Sequence, residues 1–192
     1  MQNPVYIIEH LEPKLWPWCL IEYKHISRIV GKDNLWFTNI AAKDSKKLKP
    51  SGRVFNNSIK SLPLENVCIL DPDSKILLSP EDSKKFKYFL FGGILGDYPP
   101  QARTKKELTP FVKGQNVETR NLGKYQLSTD NAVYVTKTIL KGIPFEKIKF
   151  TKEVEIKINK IESTILPFHY PLINKKPNIS RELVRYLKKR ED

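Results

Sequence analysis

One glycine-rich segment has the most unusual spacing in the chain. Residues 91–100 read Phe-Gly-Gly-Ile-Leu-Gly-Asp-Tyr-Pro-Pro, so glycines and a carboxylate follow an apolar run and two prolines end it. Glycine lets a ligand approach the backbone closely, and proline stiffens the segment that leaves the loop. The spacing matches neither the dinucleotide-binding fingerprint nor the phosphate-binding P-loop. The segment is therefore either a tight structural turn or the backbone wall of a ligand site.

A second glycine turn precedes a capped helix. Residues 122–132 read Leu-Gly-Lys-Tyr-Gln-Leu-Ser-Thr-Asp-Asn-Ala, and Ser128 offers a helix N-cap. Alone, this pattern is typical of an ordinary turn that connects a strand to a helix. Together, the two segments indicate one binding site built from two loops.

The elements that must hold these loops alternate between strand-like and helix-like segments. Short apolar or alternating runs predict strands, and spacings of three and four predict helices. Strands are predicted near residues 5–8, 35–40, 67–70, 87–91, 117–120 and 154–158. Helices are predicted over residues 16–30 and 103–109, after Ser79-Pro80, and from Ser128 and Ser180. This order predicts an α/β fold with a mostly parallel sheet and helices on both faces.

Two stretches lack a clear period. Residues 42–62 are rich in lysine and serine, which predicts a mobile loop and then a short helix near Ile59. Residues 163–179 contain three prolines and are expected to be irregular.

Ligands of parallel sheets bind beyond the carboxyl ends of the strands. The candidate loops at that edge are residues 9–16, 71–75, 92–103 and 123–130.

The composition limits the classes of protein to which this chain can belong. The chain has 192 residues, of which 40% are apolar, enough for the core of one domain. No apolar run reaches the ~18 residues of a membrane span, and the N-terminus lacks the features of a secretory signal. We therefore expect a cytoplasmic protein without membrane contact, in which Cys19 and Cys68 are buried free thiols.

Charge is distributed unevenly along the chain. Lys and Arg number 34 against 21 Asp and Glu, a net charge of +13, and residues 101–192 alone carry 20 basic and 10 acidic residues. This asymmetry predicts either a polyanionic partner or a solvated lysine-rich face. Because 27 of the 34 cations are lysine, diffuse attraction to phosphate is favoured over base-specific contacts.

The two glycine motifs together resemble those of the SPOUT methyltransferases. The likeness is strongest to one branch, the predicted RNA methyltransferases whose fungal member is an arginine methyltransferase of a small-subunit ribosomal protein. It covers about residues 5–172, is most specific in FGGILGD and LGKYQLSTD, and is weak at 42–62 and in the tail. Other matching residues are Tyr6-Ile7-Ile8-Glu9-His10, Trp18, Glu22-Tyr23, Leu70-Asp71-Pro72, Pro80-Glu81-Asp82, Pro99-Pro100, Arg103-Thr104-Lys105 and Pro167-Phe168.

The resemblance implies a cofactor and its site. It implies S-adenosylmethionine (SAM), and no metal, bound at a trefoil knot on the C-terminal side of a domain over residues 1–172. Residues 42–62 are then a variable loop, and 173–192 a basic C-terminal helix or tail. The implied cofactor contacts are Leu70, Asp71, Pro72, Phe91, Gly92, Gly93, Ile94, Leu95, Gly96, Leu122, Gly123, Gln126, Leu127, Ser128 and Thr129.

The implied reaction also needs acids. A guanidinium is protonated at neutral pH, so a carboxylate must orient it and assist the loss of a proton. Glu9, at the end of the first strand, and Asp97, beside the glycine loop, are best placed, and His10 is a candidate proton acceptor. The candidate substrate contacts are Glu12, Trp18 and Arg103. All six have structural alternatives: caps, turns or solvent for the acids, the core for the histidine and tryptophan, and the surface for the arginine.

These expectations combine into one function and its alternatives. The sequence predicts a SAM-dependent protein arginine N-methyltransferase acting on a ribosomal protein or nascent ribosomal particle, with RNA contacts through residues 101–192. The basic half favours, as the alternative, a methyltransferase of ribosomal or transfer RNA. A non-catalytic ribosome-assembly protein is a third hypothesis, which the intact glycine loop disfavours. Both a monomer and a homodimer are compatible with the sequence.

Overall fold

The computed structural model describes residues 3–96 and 99–189, and a six-stranded sheet forms its centre. The strands of this sheet are β1 (Val5–His10), β2 (Leu35–Thr38), β3 (Arg53–Val54), β4 (Val67–Leu70), β5 (Tyr88–Gly93) and β6 (Val117–Arg120). They lie in the order β3-β2-β1-β5-β4-β6, and every neighbouring pair is parallel. The predicted α/β fold with a mostly parallel sheet is confirmed.

The remaining elements of the described part are helices and short antiparallel strands. The helices are α1 (Pro17–Val30), α2 (Ser45–Leu48), α3 (Asp82–Lys85), α4 (Thr129–Leu140) and α5 (Arg181–Lys189). The strands are β7 (Phe150–Thr151), β8 (Val154–Lys157), β9 (Ser163–Leu166), β10 (Tyr170–Ile173) and β11 (Lys176–Pro177). No helix within the described ranges is long and apolar enough to cross a membrane.

Helical elements cover both faces of the sheet, but they differ in length. The long helices α1 and α4 cover one face, and their Tyr23 and Val133 are fully buried there. On the other face, Ile59 from a 3₁₀ turn and Leu108 from a single π turn are buried beside Ile7 of β1. Both apolar faces of β1 are thereby removed from water, as a parallel sheet requires.

Residues 42–62 form a packed edge of the sheet, which corrects the predicted loop. The segment contains α2, the edge strand β3 and a 3₁₀ turn at Ile59–Ser61. Leu48 is fully buried, and a side chain at Gly52 would lie 2.6 Å from the carbonyl oxygen of Leu35. The few buried positions are hidden among lysines and serines, so the composition alone indicates a loop.

Residues 163–179 are also regular, contrary to the prediction. β9 pairs with β8 as an antiparallel hairpin, and β10 pairs with both β7 and β11. Behind these strands, α5 buries Leu183 and Leu187 in a small core that Trp18 of α1 also contacts. β10 crosses residue 172, where the sequence predicts the end of the domain.

Candidate active site

A cavity of about 450 Å³ opens at the carboxyl ends of β4 and β5. Four segments form this glycine-loop cavity: the residues at the end of β4, the glycine loop after β5, residues 100–105, and the turn into α4. The residues that line it are Leu70, Asp71, Pro72, Asp73, Phe91, Gly92, Ile94, Gly96, Pro100, Gln101, Ala102, Arg103, Thr104, Lys105, Leu122, Gly123, Lys124, Tyr125, Gln126, Leu127, Thr129 and Ala132. This is the edge at which a parallel sheet is expected to bind ligands.

The first residue of α4 holds the backbone of the glycine loop. The hydroxyl of Thr129 lies 3.4 Å from the carbonyl oxygen of Gly92 and 3.3 Å from that of Ile94. β5 continues through Gly93, at which a side chain would meet the hydroxyl of Tyr23. Gly92 lines the cavity. Gly93 does not line it, and glycine is needed there because α1 packs closely on the sheet through Tyr23.

Aromatic residues of the C-terminal part support two cavity glycines from behind. A side chain at Gly96 would lie 2.6 Å from the ring of Phe168. One at Gly123 would overlap the ring of Phe145. Gly123 also has a φ of +77°, in the left-handed region that glycine adopts most readily. The cavity walls thus depend on residues far along the chain from the sheet.

Asp71 stabilises the loop that follows β4. Its Oδ1 accepts the backbone N–H of Asp73 at 3.0 Å, and its Oδ2 accepts the hydroxyl of Thr109 at 2.7 Å. The residue is only 4% exposed although it lines the cavity. Both carboxylate oxygens are therefore engaged in shaping this wall.

Arg103 connects three segments at the mouth of the cavity. Its Nη1 donates to Oε1 of Glu12 at 2.7 Å, its Nη2 to the carbonyl of Leu11 at 3.0 Å, and its Nε to Oε1 of Glu107 at 2.8 Å. The hydrogen bond to Glu107, followed by that to Glu12, raises the pKa of Arg103. The same bond lowers the pKa of the Glu107 carboxyl. This fixed cation joins residues 100–105 to the end of β1.

Glu12 connects the loop after β1, to which it belongs, with the glycine loop. Its Oε1 accepts the backbone N–H of Leu95 at 3.0 Å, in addition to the bond from Arg103. Its side chain is 11% exposed. A carboxylate is therefore held at the edge of the cavity by one glycine-loop amide and one guanidinium.

Comparison with known proteins identifies the family. The sequence profile of the SFM1-like protein arginine N-methyltransferases matches residues 5–192. The chain belongs to this SFM1-like family. Protein arginine N-methyltransferase SFM1 of Saccharomyces cerevisiae is 38% identical over an alignment of 202 positions, which covers 96% of this chain and 94% of the yeast protein. The predicted membership in the arginine methyltransferase branch is confirmed.

Solved structures of the SFM1-like family share the fold. The crystal structure of the yeast arginine methyltransferase SFM1 complexed with SAM has a TM-score of 0.87 at 37% identity, covering 98% of this chain and 92% of that one. The complex with SAH has a TM-score of 0.85 at 38% identity, covering 96% and 94%. A dual specific Trm10 from Thermococcus kodakaraensis has a TM-score of 0.58 at 15% identity, covering 75% and 96%, which shows the fold alone. The SPOUT-type fold is thereby confirmed, and the trefoil knot itself stays a prediction.

Most of the cofactor contacts implied for an SFM1-like enzyme line the glycine-loop cavity. Twelve of the fifteen do, and Gly93, Leu95 and Ser128 do not. The predicted ligand loop 92–103 includes the first four residues of the wall formed by 100–105, whereas the sequence does not predict that Thr104 and Lys105 line the site, although they carry part of the family resemblance. Only the fold shows that this segment closes the cavity.

Glu9 is in a different environment from Glu12. It is completely buried, and its carboxylate accepts hydrogen bonds from the hydroxyls of Thr38 and Ser58, both at 2.5 Å, and from the N–H of Ile59 at 3.0 Å. It does not line the glycine-loop cavity. This placement favours a role in joining β1 to β2 and the 3₁₀ turn, and its part in proton transfer stays a prediction.

The other candidate residues lie in distinct places. The Nδ1 atom of His10 forms a hydrogen bond with the hydroxyl of Tyr23 at 2.8 Å. The buried Nε2 atom of the same ring has no hydrogen-bond partner among the described residues. Burial lowers the pKa of His10, with smaller opposing contributions that include Glu12. Trp18 donates to the buried Glu22 and does not line the cavity. Asp97 lies outside the described residues.

Proposed function

We propose that this SFM1-like enzyme transfers a methyl group from SAM to an arginine side chain of a ribosomal protein. The observation that carries the proposal is the glycine-loop cavity, in which backbone-rich and aliphatic walls meet at the carboxyl edge of the sheet. The yeast relative, whose crystal structures contain SAM or SAH, supports the choice of cofactor.

The cavity fits a nucleoside-bearing cofactor in size and in chemistry. Its volume of about 450 Å³ lies within the range of small-molecule sites, roughly 300–1,000 Å³. Leu122 and Leu127 line the cavity and offer apolar surface to a purine. The N–H of Gly123 is already bonded to Oδ1 of Asn121 at 2.8 Å, so other backbone groups of this turn would have to bind the purine edge. Gly92 and Gly96 leave room for the ribose and the amino acid portion. These residues would hold the cofactor without a metal ion.

The chemistry is an in-line substitution. The sulfonium of the bound cofactor supplies an electrophilic methyl group. The chain must hold one guanidinium nitrogen in line with the breaking carbon–sulfur bond as the new carbon–nitrogen bond forms. That nitrogen loses a proton, so the positive charge of the guanidinium is retained in the product. Positioning and a route for this proton are the two tasks of the protein.

Carboxylates suit both tasks. A carboxylate accepts hydrogen bonds from the guanidinium and stabilises the group as its proton departs. Asp97 directly follows Gly96, a residue that lines the cavity, and we retain it as a proposed acid. Glu12 is held beside the same loop through the N–H of Leu95. Glu9 and His10 complete the proposed set, with positioning as the role that their burial favours.

The proposed ribosomal partner rests on charge. Residues 101–192 carry a net charge of +10, against +3 for residues 1–100. A basic surface gathers phosphate groups and speeds encounter with an RNA-rich particle. The acids described above lie in the less basic half, so docking and chemistry would use different parts of the molecule.

Two measurements test the proposal. Isothermal titration of SAM into the purified protein should show binding at micromolar concentrations, and no binding at these levels would contradict the cofactor assignment. Incubation with tritiated SAM and ribosomal fractions should then label material that protease destroys and nuclease spares. Label that survives protease and disappears with nuclease would instead establish the RNA substrate.

A further inference from the structure

A second cavity, of about 750 Å³, lies at the carboxyl ends of β1 and β2. We call it the β1–β2 groove, and its polar lining consists mainly of His10, Glu12, Lys14, Asn39, Asp44 and Asn56. It adjoins the glycine-loop cavity, because Glu12 lines the groove and bonds directly to Arg103, which lines the cavity. We infer that the groove binds the arginine-bearing segment of the protein substrate, with Glu12 contacting the guanidinium. This inference rests on the function proposed above.

The two oxygens of Glu12 have different surroundings. Oε1 accepts from Leu95 and Arg103 and is therefore committed to the protein. Oε2 accepts no hydrogen bond from the described residues, although the side chain is largely removed from water. A partly buried carboxylate oxygen gains most from a charged donor, and a guanidinium is such a donor. Glu12, which lines the groove, thus has one oxygen that accepts no hydrogen bond from the described residues, while the other is bonded to the cofactor loop.

The groove also presents neutral acceptors. Asn39 donates its amide N–H to the carbonyl of His10 at 2.7 Å, and Asn56 donates to that of Ile40 at 2.7 Å. The amide oxygens of both residues accept no hydrogen bond from the part of the chain described here. A guanidinium has five N–H donors and no acceptor, and an extended peptide adds backbone N–H groups. An acceptor-rich groove is the complement of such a ligand.

His10 offers a different kind of contact at the floor of the groove. The residue is 5% exposed, and its Nε2 is buried without a partner among the described residues. If the Tyr23 hydroxyl donates to Nδ1, both groups are satisfied and the remaining proton lies on Nε2. Among the described residues the backbone of Lys14 affects the pKa of His10, but Nε2 makes no hydrogen bond that satisfies it. A donor buried in this way is expensive. A carbonyl oxygen of the substrate main chain would satisfy it.

The lysines of the groove do not oppose this assignment. Lys14, Lys43 and Lys47 are exposed, and Lys47 pairs with Asp44 at 2.7 Å. Exposed charges are screened strongly by water and salt, whereas the Glu12 side chain is 11% exposed and is screened less. These lysines therefore oppose a bound guanidinium only weakly, while Arg103 already pairs with one of the two oxygens of Glu12.

The first test measures binding without catalysis. N-acetyl-arginine amide is titrated into the SAH-loaded protein, and backbone amide shifts are followed by NMR. We expect shifts at residues 39–44 and around Glu12, and at least about tenfold weaker binding in Glu12→Gln. Glutamine keeps the acceptor for Leu95 but replaces Oε2 by a donor. N-acetyl-lysine amide should bind more weakly, since lysine lacks the planar fork of arginine. Shifts absent from the groove would overturn the inference.

The second test blocks the groove and measures transfer to ribosomal protein. Lys43 lines the groove and Lys46 does not, yet both are exposed residues of the same segment. Lys43→Trp should raise KM for the protein substrate about tenfold or more with an unchanged Kd for SAM, whereas Lys46→Trp should behave as wild type. Glu12→Gln should lower kcat by about 100-fold and leave SAM binding within about threefold.

The outcomes separate the two proposals. Equal KM values for the Lys43 and Lys46 variants would contradict the groove while leaving the methyltransferase intact. A wild-type protein that transfers no methyl group to any protein would contradict the proposed function. The NMR titration would still decide whether the groove recognises arginine.

Discussion

Two carboxyl groups, Glu22 and Asp130, are buried between α1 and α4 with different partners. Glu22 accepts a hydrogen bond from the indole N–H of Trp18 at 2.9 Å. Oδ2 of Asp130 forms a hydrogen bond with Nδ1 of His25 at 2.7 Å. Burial, and secondarily the charge of Asp130, raises the pKa of Glu22 well above its ordinary value. Glu22 therefore keeps its proton to higher pH than an ordinary glutamate does.

This protonation makes stability depend on pH in a defined direction. Above the ordinary pKa of glutamate, the native state keeps a proton on Glu22 that the unfolded chain has released. The free energy of unfolding then falls as pH rises, by up to about 1.4 kcal/mol per pH unit from this one group. The fall ends only when pH reaches the raised pKa of the folded state.

Glu22→Gln should remove this loss. Glutamine keeps an acceptor for Trp18 and carries no charge, so its stability advantage over wild type should grow as pH rises above the ordinary glutamate pKa of about 4.3. Thermal unfolding followed by circular dichroism at several pH values measures it. Glu153→Gln, which alters an exposed carboxylate, is the control. A pH-independent difference between Glu22→Gln and wild type would contradict the assignment.

Single residues also mark a limit of sequence reasoning. The sequence identifies Glu9 and Glu12 as candidate acids, but cannot tell their surroundings apart. The hydroxyls bound by Glu9 come from residues 29 and 49 positions away, and the amide bound by Glu12 from 83 positions away. Such partners are brought together by the order of strands in the sheet, which local patterns do not encode.

Among the elements, the turn before α4 is the most constrained. Gly123 has a positive φ and lies against the ring of Phe145, whereas Gly142 has a φ of +97° and nothing within 4 Å of where a Cβ atom would lie. A side chain at either position would therefore strain the backbone, because both have a positive φ. Only at Gly123 would it also clash with a neighbouring side chain. The two glycines form a natural matched pair.

Alanine at these positions should separate the two costs. Gly142→Ala should lower the free energy of unfolding by about 1 kcal/mol through the backbone alone. Gly123→Ala should cost roughly 1–3 kcal/mol more, because overpacking displaces Phe145 or the turn. It should also weaken SAM binding, since Gly123 lines the cavity. Urea unfolding and SAM titration measure these effects, and equal losses of stability would exclude the clash.

Element by element, prediction succeeds where a segment carries its own signal. β4 is four consecutive buried apolar residues, and α4 has a helical period and a glycine stop, so the sequence predicts both. Ser128 lies at the predicted N-cap position of α4, but its hydroxyl donates to Oδ1 of Asp130 at 2.6 Å and makes no capping hydrogen bond. β3 and β11 have two residues each, and such strands exist only through their pairing partners. The sequence also predicts a short helix where the π turn over Thr104–Leu108 lies, but its place beside the cavity follows from the fold.

At the scale of the whole molecule, the net charge of +13 predicts strong dependence on salt. Association with a ribosomal particle should weaken about tenfold or more as salt rises from about 50 to about 200 mM, because lysines that neutralise phosphates release counterions. Binding of the N-acetyl-arginine amide probe should change far less. Sedimentation with ribosomes and the NMR titration provide the two measurements. Salt-insensitive sedimentation would mean that the lysine-rich half is only a solvated face.

The support that Phe145 and Phe168 give to the cavity glycines also sets an order in time. Ribosomes synthesise a chain from its N-terminus, at roughly 5–20 residues per second, so the six sheet strands emerge before either phenylalanine. The residues that line the cavity all precede position 133, yet the rings that back Gly96 and Gly123 come later. A nascent chain can therefore assemble its sheet before its cofactor site has a finished wall, and competence to bind SAM should be acquired only after Phe168 has emerged.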